Sequence, residues 1–288
     1  MNKRRKQIIK ENEISMMYTF SLGKIPQKVL IEGKRKDLPV VISLHGGPGT
    51  PVPFSAGCRG LFPMFTDHFI MVYWDQLGCG INNRELKPQF CVEAFTEMTI
   101  DLIAEIRKLF PDNKLILFGM SWGSVLALKA LQKAWKDVDA AVIWGQVLRK
   151  LLLNDEVYKT LEINGLSHKK MQKIRAITPE HFRESDMRRL TGSIRIYTDG
   201  YSNKKGLRAP IGSIICGLLT SPDYQLKDFK AIMINAAAAD AHLWTELLQM
   251  DLTNELSAVK VPYYILQGDT DIVTSTSDIV KAVASSGN

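Results

Sequence analysis

The stretch Ile116–Val125, ILFGMSWGSV, sets a serine between two glycines where a short apolar run gives way to helix-forming residues. A serine hydroxyl at its ordinary pKa is a weak nucleophile and becomes a catalytic one when a base takes its proton. G-x-S-x-G by itself occurs by chance. Between a strand and a helix it gains meaning: Gly119 and Gly123 let the chain turn sharply enough to present the Ser121 oxygen, and the helix N-terminus behind it favours negative charge. A second stretch, HGGPGTP at His45–Pro51, directly follows an apolar run. Acyl transfer to a serine places negative charge on the carbonyl oxygen, and two aimed backbone N–H groups stabilise it. One donor is the residue after the nucleophile, here Trp122. The other comes from a glycine loop, whose backbone approaches the substrate without a Cβ. We assign it to Gly47; the neighbouring Gly46 is the alternative donor and a candidate substrate contact. A third stretch, WDQLGCG at Trp74–Gly80, is a polar turn at the end of another apolar run. Open α/β sheets bind ligands at that carboxyl edge, which makes Trp74 a candidate substrate contact.

These residues need a sheet to hold them. LPVVISLHGG at Leu38–Gly47 and HFIMVYWDQLG at His68–Gly78 are continuous apolar runs, as strands buried on both faces should be. QKVLIEG (Gln27–Gly33), KLILFG, DAAVIWG (Asp139–Gly145) and VPYYILQGD (Val261–Asp269) are further strands. Between them, Ala94–Phe110 carries Phe95, Met98, Leu102, Ile106 and Leu109 on one helical stripe and stops at Pro111, and Ser124–Trp135 is the helix after the serine. Alternating strands and helices predict a mostly parallel sheet with helices on both faces. The alternation breaks between about Arg149 and Leu256, where TPEHF and AAAADAHLWTELLQM (Ala236–Met250) signal helices. The expected organisation is a core of residues 1–148 and 257–288 with a helical cap inserted at 149–256.

The order HGGPG, WDQxGxG, GxSWGS resembles the proline iminopeptidase group of α/β-hydrolases, enzymes that remove an N-terminal residue from short peptides. The likeness is close in the first half; the insertion matches only in position and helical character. Leu77 stands where that family usually has arginine. The resemblance implies an α/β-hydrolase fold, a small peptide or related amide or ester as substrate, and a triad acid after the strand that follows the cap. ILQGDTDIV (Ile265–Val273) offers Asp269 and Asp271, and the family's acid aligns with Asp271. An aminopeptidase also needs carboxylates for the substrate's ammonium group; Glu246, with Asp240 beside it, is the candidate.

The triad base is expected on a loop after one further strand. From Asp271 that needs a helix of ~11 residues, a strand of ~5 and two short loops. Seventeen residues remain and none is histidine. His45 belongs to the glycine loop, His68 precedes a strand, and His168 and His181 lie in the polar insertion; His242, on a cap helix, is the one kept as a candidate base. The expectation is that the last strand and its histidine loop are missing, as in a fragment, a truncated product or a degenerate relative. Two readings follow: a serine hydrolase of the iminopeptidase type, or a non-catalytic relative that binds a small ligand.

The net charge of +7 does not extend over the whole chain. Residues 1–10 hold five Lys/Arg and no acid, and residues 165–210 hold eleven against four acids, which leaves the remainder net acidic. No nucleic-acid motif accompanies the charge, so no nucleic-acid partner is expected. The N-terminal MNKRRKQIIKENE, a solvated arm by composition, has no apolar stretch behind it, and no run reaches the ~18 residues of a membrane span. Cys58, Cys79, Cys91 and Cys216 show no metal-ligand spacing and are expected as reduced thiols of a cytoplasmic protein, with no metal and no cofactor. Oligomeric state is not legible.

Overall fold

The structure is a computed structural model and describes residues 3–51, 63–87, 89–198 and 223–286. Seven strands form one sheet: β1 (Ile14–Leu22), β2 (Ile25–Gly33), β3 (Val40–Leu44), β4 (Ile70–Trp74), β5 (Leu115–Met120), β6 (Ala140–Trp144) and β7 (Tyr263–Leu266), in the order β1-β2-β4-β3-β5-β6-β7. β1 and β2 pair antiparallel, as do β2 and β4; every later pairing is parallel. This is the α/β-hydrolase fold that the sequence led us to expect, with one strand the apolar runs did not reveal. β1 follows a short helix, α1 (Lys3–Glu11), where a solvated arm was expected, and its side chains alternate in and out of the core.

The two faces of the sheet are covered differently. Val29, Ile31, Val40, Ile42, Leu115 and Leu117 face the main core, which includes residues of α2 (Val92–Leu109) and α3 (Trp122–Ala134). Helix α2 buries Phe95, Met98, Leu102 and Ile106 of the expected stripe while Leu109, its last residue, is exposed, and Lys133 ties α3 to it through Glu93 and Glu97. The opposite residues, Leu30, Val41, Met71, Tyr73, Ile116 and Phe118, pack with Tyr224, Phe229 and Ile232 from the interval between β6 and β7.

That interval holds α4 (Asp155–Ile163), α5 (His168–Arg175), α6 (Glu184–Tyr197), α7 (Leu226–Met233), α8 (Ala236–Ala239), α9 (Ala241–Gln249) and α10 (Thr253–Ser257). The helix expected over Ala236–Met250 is broken because the Asp240 side chain accepts the Leu243 N–H and starts α9 afresh. The two ends of the insertion meet: the Arg149 and Asp251 backbones form an isolated antiparallel β-bridge, and the Leu252 N–H donates to Leu148 O at 2.9 Å. Arg149 also holds Asp278 of α11 (Thr276–Ser286) through two hydrogen bonds of 3.1 and 3.0 Å. Cys79 and Cys91 are free thiols, whereas Cys58, Cys216 and residues 199–210 of the basic stretch lie outside the described residues. No helix among the described residues is long and apolar enough to cross a membrane.

Two glycines test the packing. A Cβ on Gly123 would fall 2.0 Å from Leu44 O, a backbone atom with no room to yield, whereas one on Gly192 in α6 would meet nothing within 4 Å. Gly123→Ala is expected to abolish soluble expression or cost more than ~3 kcal/mol, and Gly192→Ala to raise stability by roughly 0.5–1 kcal/mol in urea melts. The sheet edge gives a second prediction. Among the described residues β7 pairs only with β6, and Tyr264 and Leu266 are 59% and 56% exposed. Sedimentation velocity is expected to show self-association that Leu266→Lys suppresses; a concentration-independent monomer would contradict it.

Candidate active site

Ser121 stands at the junction of β5 and α3 with φ 49° and ψ −114°, a conformation that costs a non-glycine residue about 1–3 kcal/mol. Its surroundings force it there. The Ser121 N–H donates to Trp144 O at 2.9 Å, and Ser121 O accepts the Ser124 N–H at 2.7 Å. On either side the backbone is too close for side chains: a Cβ on Gly119 would approach Gly123 O to 2.8 Å, and one on Gly123 would strike Leu44 O.

The glycine loop lies against this turn. A Cβ on Gly46 would come 3.5 Å from the Ser121 Cβ and 3.3 Å from Met120 O. Gly47 has φ 119°, where a Cβ would sit 2.5 Å from the Gly49 nitrogen, so only glycine fits. The Thr50 N–H closes the loop on Gly46 O at 3.1 Å. Trp122 is the first residue of α3, so its N–H has no acceptor within the helix. Gly46 and Trp122 thus adjoin Ser121, and Gly47 is the next residue of the loop.

His45 supports the loop. Its Nε2 faces the Gln76 N–H at 3.1 Å, a group that can only donate. The proton therefore sits on Nδ1, which donates to Gly46 O at 2.8 Å. Burial pushes its pKa down to about 4, so the ring is neutral, and neither nitrogen is left for Ser121. Gln76 continues the chain by accepting the Trp122 indole N–H at 2.7 Å.

Asp271 lies at the same end of the sheet. Its Oδ1 accepts the N–H groups of Val273 and Thr274 at 2.9 and 3.1 Å, and its Oδ2 accepts the Thr274 hydroxyl at 2.8 Å. Gln267 also reaches Oδ2, at 3.3 Å, while its own Oε1 accepts the Gln146 N–H. A Cβ on Gly145, the residue after the Trp144 that holds Ser121, would be 3.8 Å from Asp271 Oδ2. Asp269, by contrast, is exposed.

The structure corrects two expected substrate contacts and reassigns a third. Trp74 is buried on the α2–α3 face with Ile70 and Val72, its indole N–H bonded to Gln27 Oε1 at 3.0 Å, so it does not line the edge. Glu246 accepts the Val92 N–H at 2.8 Å, supplying the cap that Cys91 does not give α2, and pairs with His242 at 3.2 Å. Asp240 is occupied as the cap of α9. None of the five histidines is hydrogen-bonded to Ser121 among the described residues. Leu77, in place of the arginine expected by resemblance, is fully buried.

Sequence reasoning also missed a buried acid. Asp75 Oδ2 accepts the Ile81 N–H and the Tyr224 hydroxyl, both at 2.9 Å, and Gly80 is glycine because a Cβ would fall 2.0 Å from that oxygen. Burial raises its pKa to about 7, with a further push from Asp228. The D-x-x-x-x-G spacing was the available signal.

Residues 39–282 match the family model for the alpha/beta hydrolase fold, and the chain belongs to that family. Within it, the relatives are of the proline iminopeptidase-like kind. A probable aminopeptidase of Bacillus subtilis is 24% identical over 275 residues, 92% of this chain and 84% of that protein. The proline iminopeptidase of Neisseria meningitidis is 41% identical over 108 residues, 36% of this chain and only 32% of that protein. The crystal structure of a proline iminopeptidase-related protein from Thermus thermophilus superposes with a TM-score of 0.58 at 19% identity, covering 94% of this chain and 85% of that one.

The buried pair His45 and Asp75 gives a pH prediction. Asp75, raised from its unfolded value, costs stability increasingly as pH climbs from about 4 to 7. His45, lowered, costs stability as pH falls from 6.5 towards 4. The two slopes oppose each other in the same window. Asp75→Asn removes one of them, so its stability relative to wild type should rise by about 2–3 kcal/mol between pH 5 and pH 8, at ~1.36 kcal/mol per unit. Urea melts at both pH values measure it; a constant difference would mean Asp75 does not titrate there.

Proposed function

We propose that the chain carries the serine-hydrolase machinery of a proline iminopeptidase-like protein, acting on the N-terminal residue of a short peptide or on a related amide or ester. In this reading Ser121 Oγ attacks the acyl carbon, the Gly47 and Trp122 N–H groups hold the resulting oxyanion, and Asp271 is the triad acid. Gly46 flanks the acyl group. The observation that carries the reading is the strained Ser121 backbone with Gly46 packed against its Cβ. The relatives, a probable aminopeptidase and a proline iminopeptidase, agree with it.

A second reading, a relative that binds a small ligand without turnover, is favoured by one specific observation. His45 is locked in the loop, His242 is paired with Glu246, and the other three histidines are not at Ser121. Among the described residues, then, no imidazole is hydrogen-bonded to Ser121, which supports this reading. Removing the base of a serine triad costs about 10⁶ in kcat, roughly 8 kcal/mol of barrier, while an intact oxyanion hole retains about 10³–10⁴ over water.

Two measurements separate the readings. Turnover of alanine- and proline-arylamides by this chain is expected near background. Robust turnover abolished by Ser121→Ala would reveal a base, and loss in a folded His242→Ala variant would identify it. A fluorophosphonate at about pH 9, where hydroxide takes the serine proton, is expected to label Ser121 slowly as fluoride leaves. Mass spectrometry that finds no adduct on Ser121, or equal labelling of the Ser121→Ala chain, would exclude Ser121 as nucleophile.

A further inference from the structure

The returning part of the insertion reaches the glycine loop itself. Asn235, only 7% exposed, donates from Nδ2 to Gly49 O at 2.7 Å, while its Oδ1 accepts the Ala238 N–H at 2.9 Å and caps α8. Gly49 has φ 78°, and a Cβ there would fall 2.3 Å from Asn235 Oδ1 and 2.6 Å from the Ala238 nitrogen. The glycine is therefore required by the approach of Asn235 as well as by its own backbone. Two residues further on, the Ala237 N–H donates to Gly78 O at 3.2 Å, in the turn after β4. One short segment thus holds both glycine turns from outside, while His45 holds the loop from within.

We propose that Asn235 is a positioning residue for the oxyanion donor: by holding Gly49 O it fixes the direction of the Gly47 N–H relative to Ser121. The inference rests on the reading of Ser121 as nucleophile and Gly47 as donor. Three of the five residues Gly46–Thr50 are glycine, so the loop has much backbone freedom to lose. A hydrogen-bond donor works on a developing charge only when it is already aimed, because reorienting it during the reaction cancels its advantage. Gly47 lies between the two held carbonyls, that of Gly46 on His45 and that of Gly49 on Asn235. Releasing the Gly49 carbonyl also leaves a buried acceptor unpaired, which drives the loop to rearrange.

Asn235→Ala removes both bonds. Asn235→Asp keeps the oxygen that caps α8 and loses the donor to Gly49. The second-order rate of fluorophosphonate labelling at Ser121 is expected to fall at least ~10-fold in both variants, less than the ~10²–10³ that outright loss of an oxyanion donor costs, because the donor is displaced and not removed. The Gly46–Thr50 amides are expected to exchange with deuterium faster in both. In the aspartate variant the excess of its exchange rate over that of wild type at the same pH should shrink below the carboxyl pKa, when a protonated oxygen can donate to Gly49 O; the excess shown by Asn235→Ala should not. An Asn235→Asp chain that labels and exchanges like wild type, beside a slowed Asn235→Ala, would reduce Asn235 to a helix cap and overturn the proposal. Labelled wild type with unchanged rates in both variants would overturn it too. Wild type without an adduct on Ser121 would instead overturn the underlying reading.

Discussion

The Trp122 indole N–H, bonded to Gln76 Oε1 deep inside the molecule, is the first link of a chain on which the carboxyl edge of the sheet depends. The Gln76 backbone N–H donates to His45 Nε2, and His45 Nδ1–H donates to Gly46 O. Each link joins the end of a different strand, so the loops after β3, β4 and β5 cannot move independently. All three side chains are buried, where a polar network is stable only when every member is satisfied. The arrangement requires a neutral imidazole: a protonated His45 would set a second ring N–H against the Gln76 N–H. The lowered pKa of His45 is thus a condition for the loop's shape rather than a sign of catalysis.

The insertion does two jobs that composition alone would not assign to it. Its Tyr224, Phe229 and Ile232 cover one face of the sheet, so part of the core is built from residues that follow β6. Its Tyr224 hydroxyl and Ala237 N–H also close over the β4 turn. A helical cap is usually pictured as a cover above a finished domain. Here the domain is unfinished without it, because Val41, Met71 and Phe118 would otherwise lose these apolar neighbours.

What could be read from the sequence was what is local. The apolar runs gave β3 and β4 because strands buried on both faces need no partner to be recognised; β5 and β6 were read from equally apolar runs although only alternate residues are fully buried. The Ser121 turn was legible because its glycines answer to atoms a few residues away. β1 escaped because only three of its nine residues are buried, so its apolar content is diluted. Trp74 was misplaced although the signal existed: it shares parity with Ile70 and Val72, which face α2 and α3. Glu246 and Asn235 were not legible in their observed roles, because their partners lie 154 and 186 positions away. No short window contains both ends of such a bond.

That separation sets an order on the chain as it is made. The strained turn at Ser121 has all its immediate supports once β6 exists, since they come from Leu44, Gly119, Gly123 and Trp144. The bond that steadies the opposite loop waits for Asn235, which follows Trp144 by roughly a hundred residues. At a synthesis rate of roughly 5–20 residues per second, a nascent chain would spend about 5–20 s with its serine turn formed and its glycine loop unclamped.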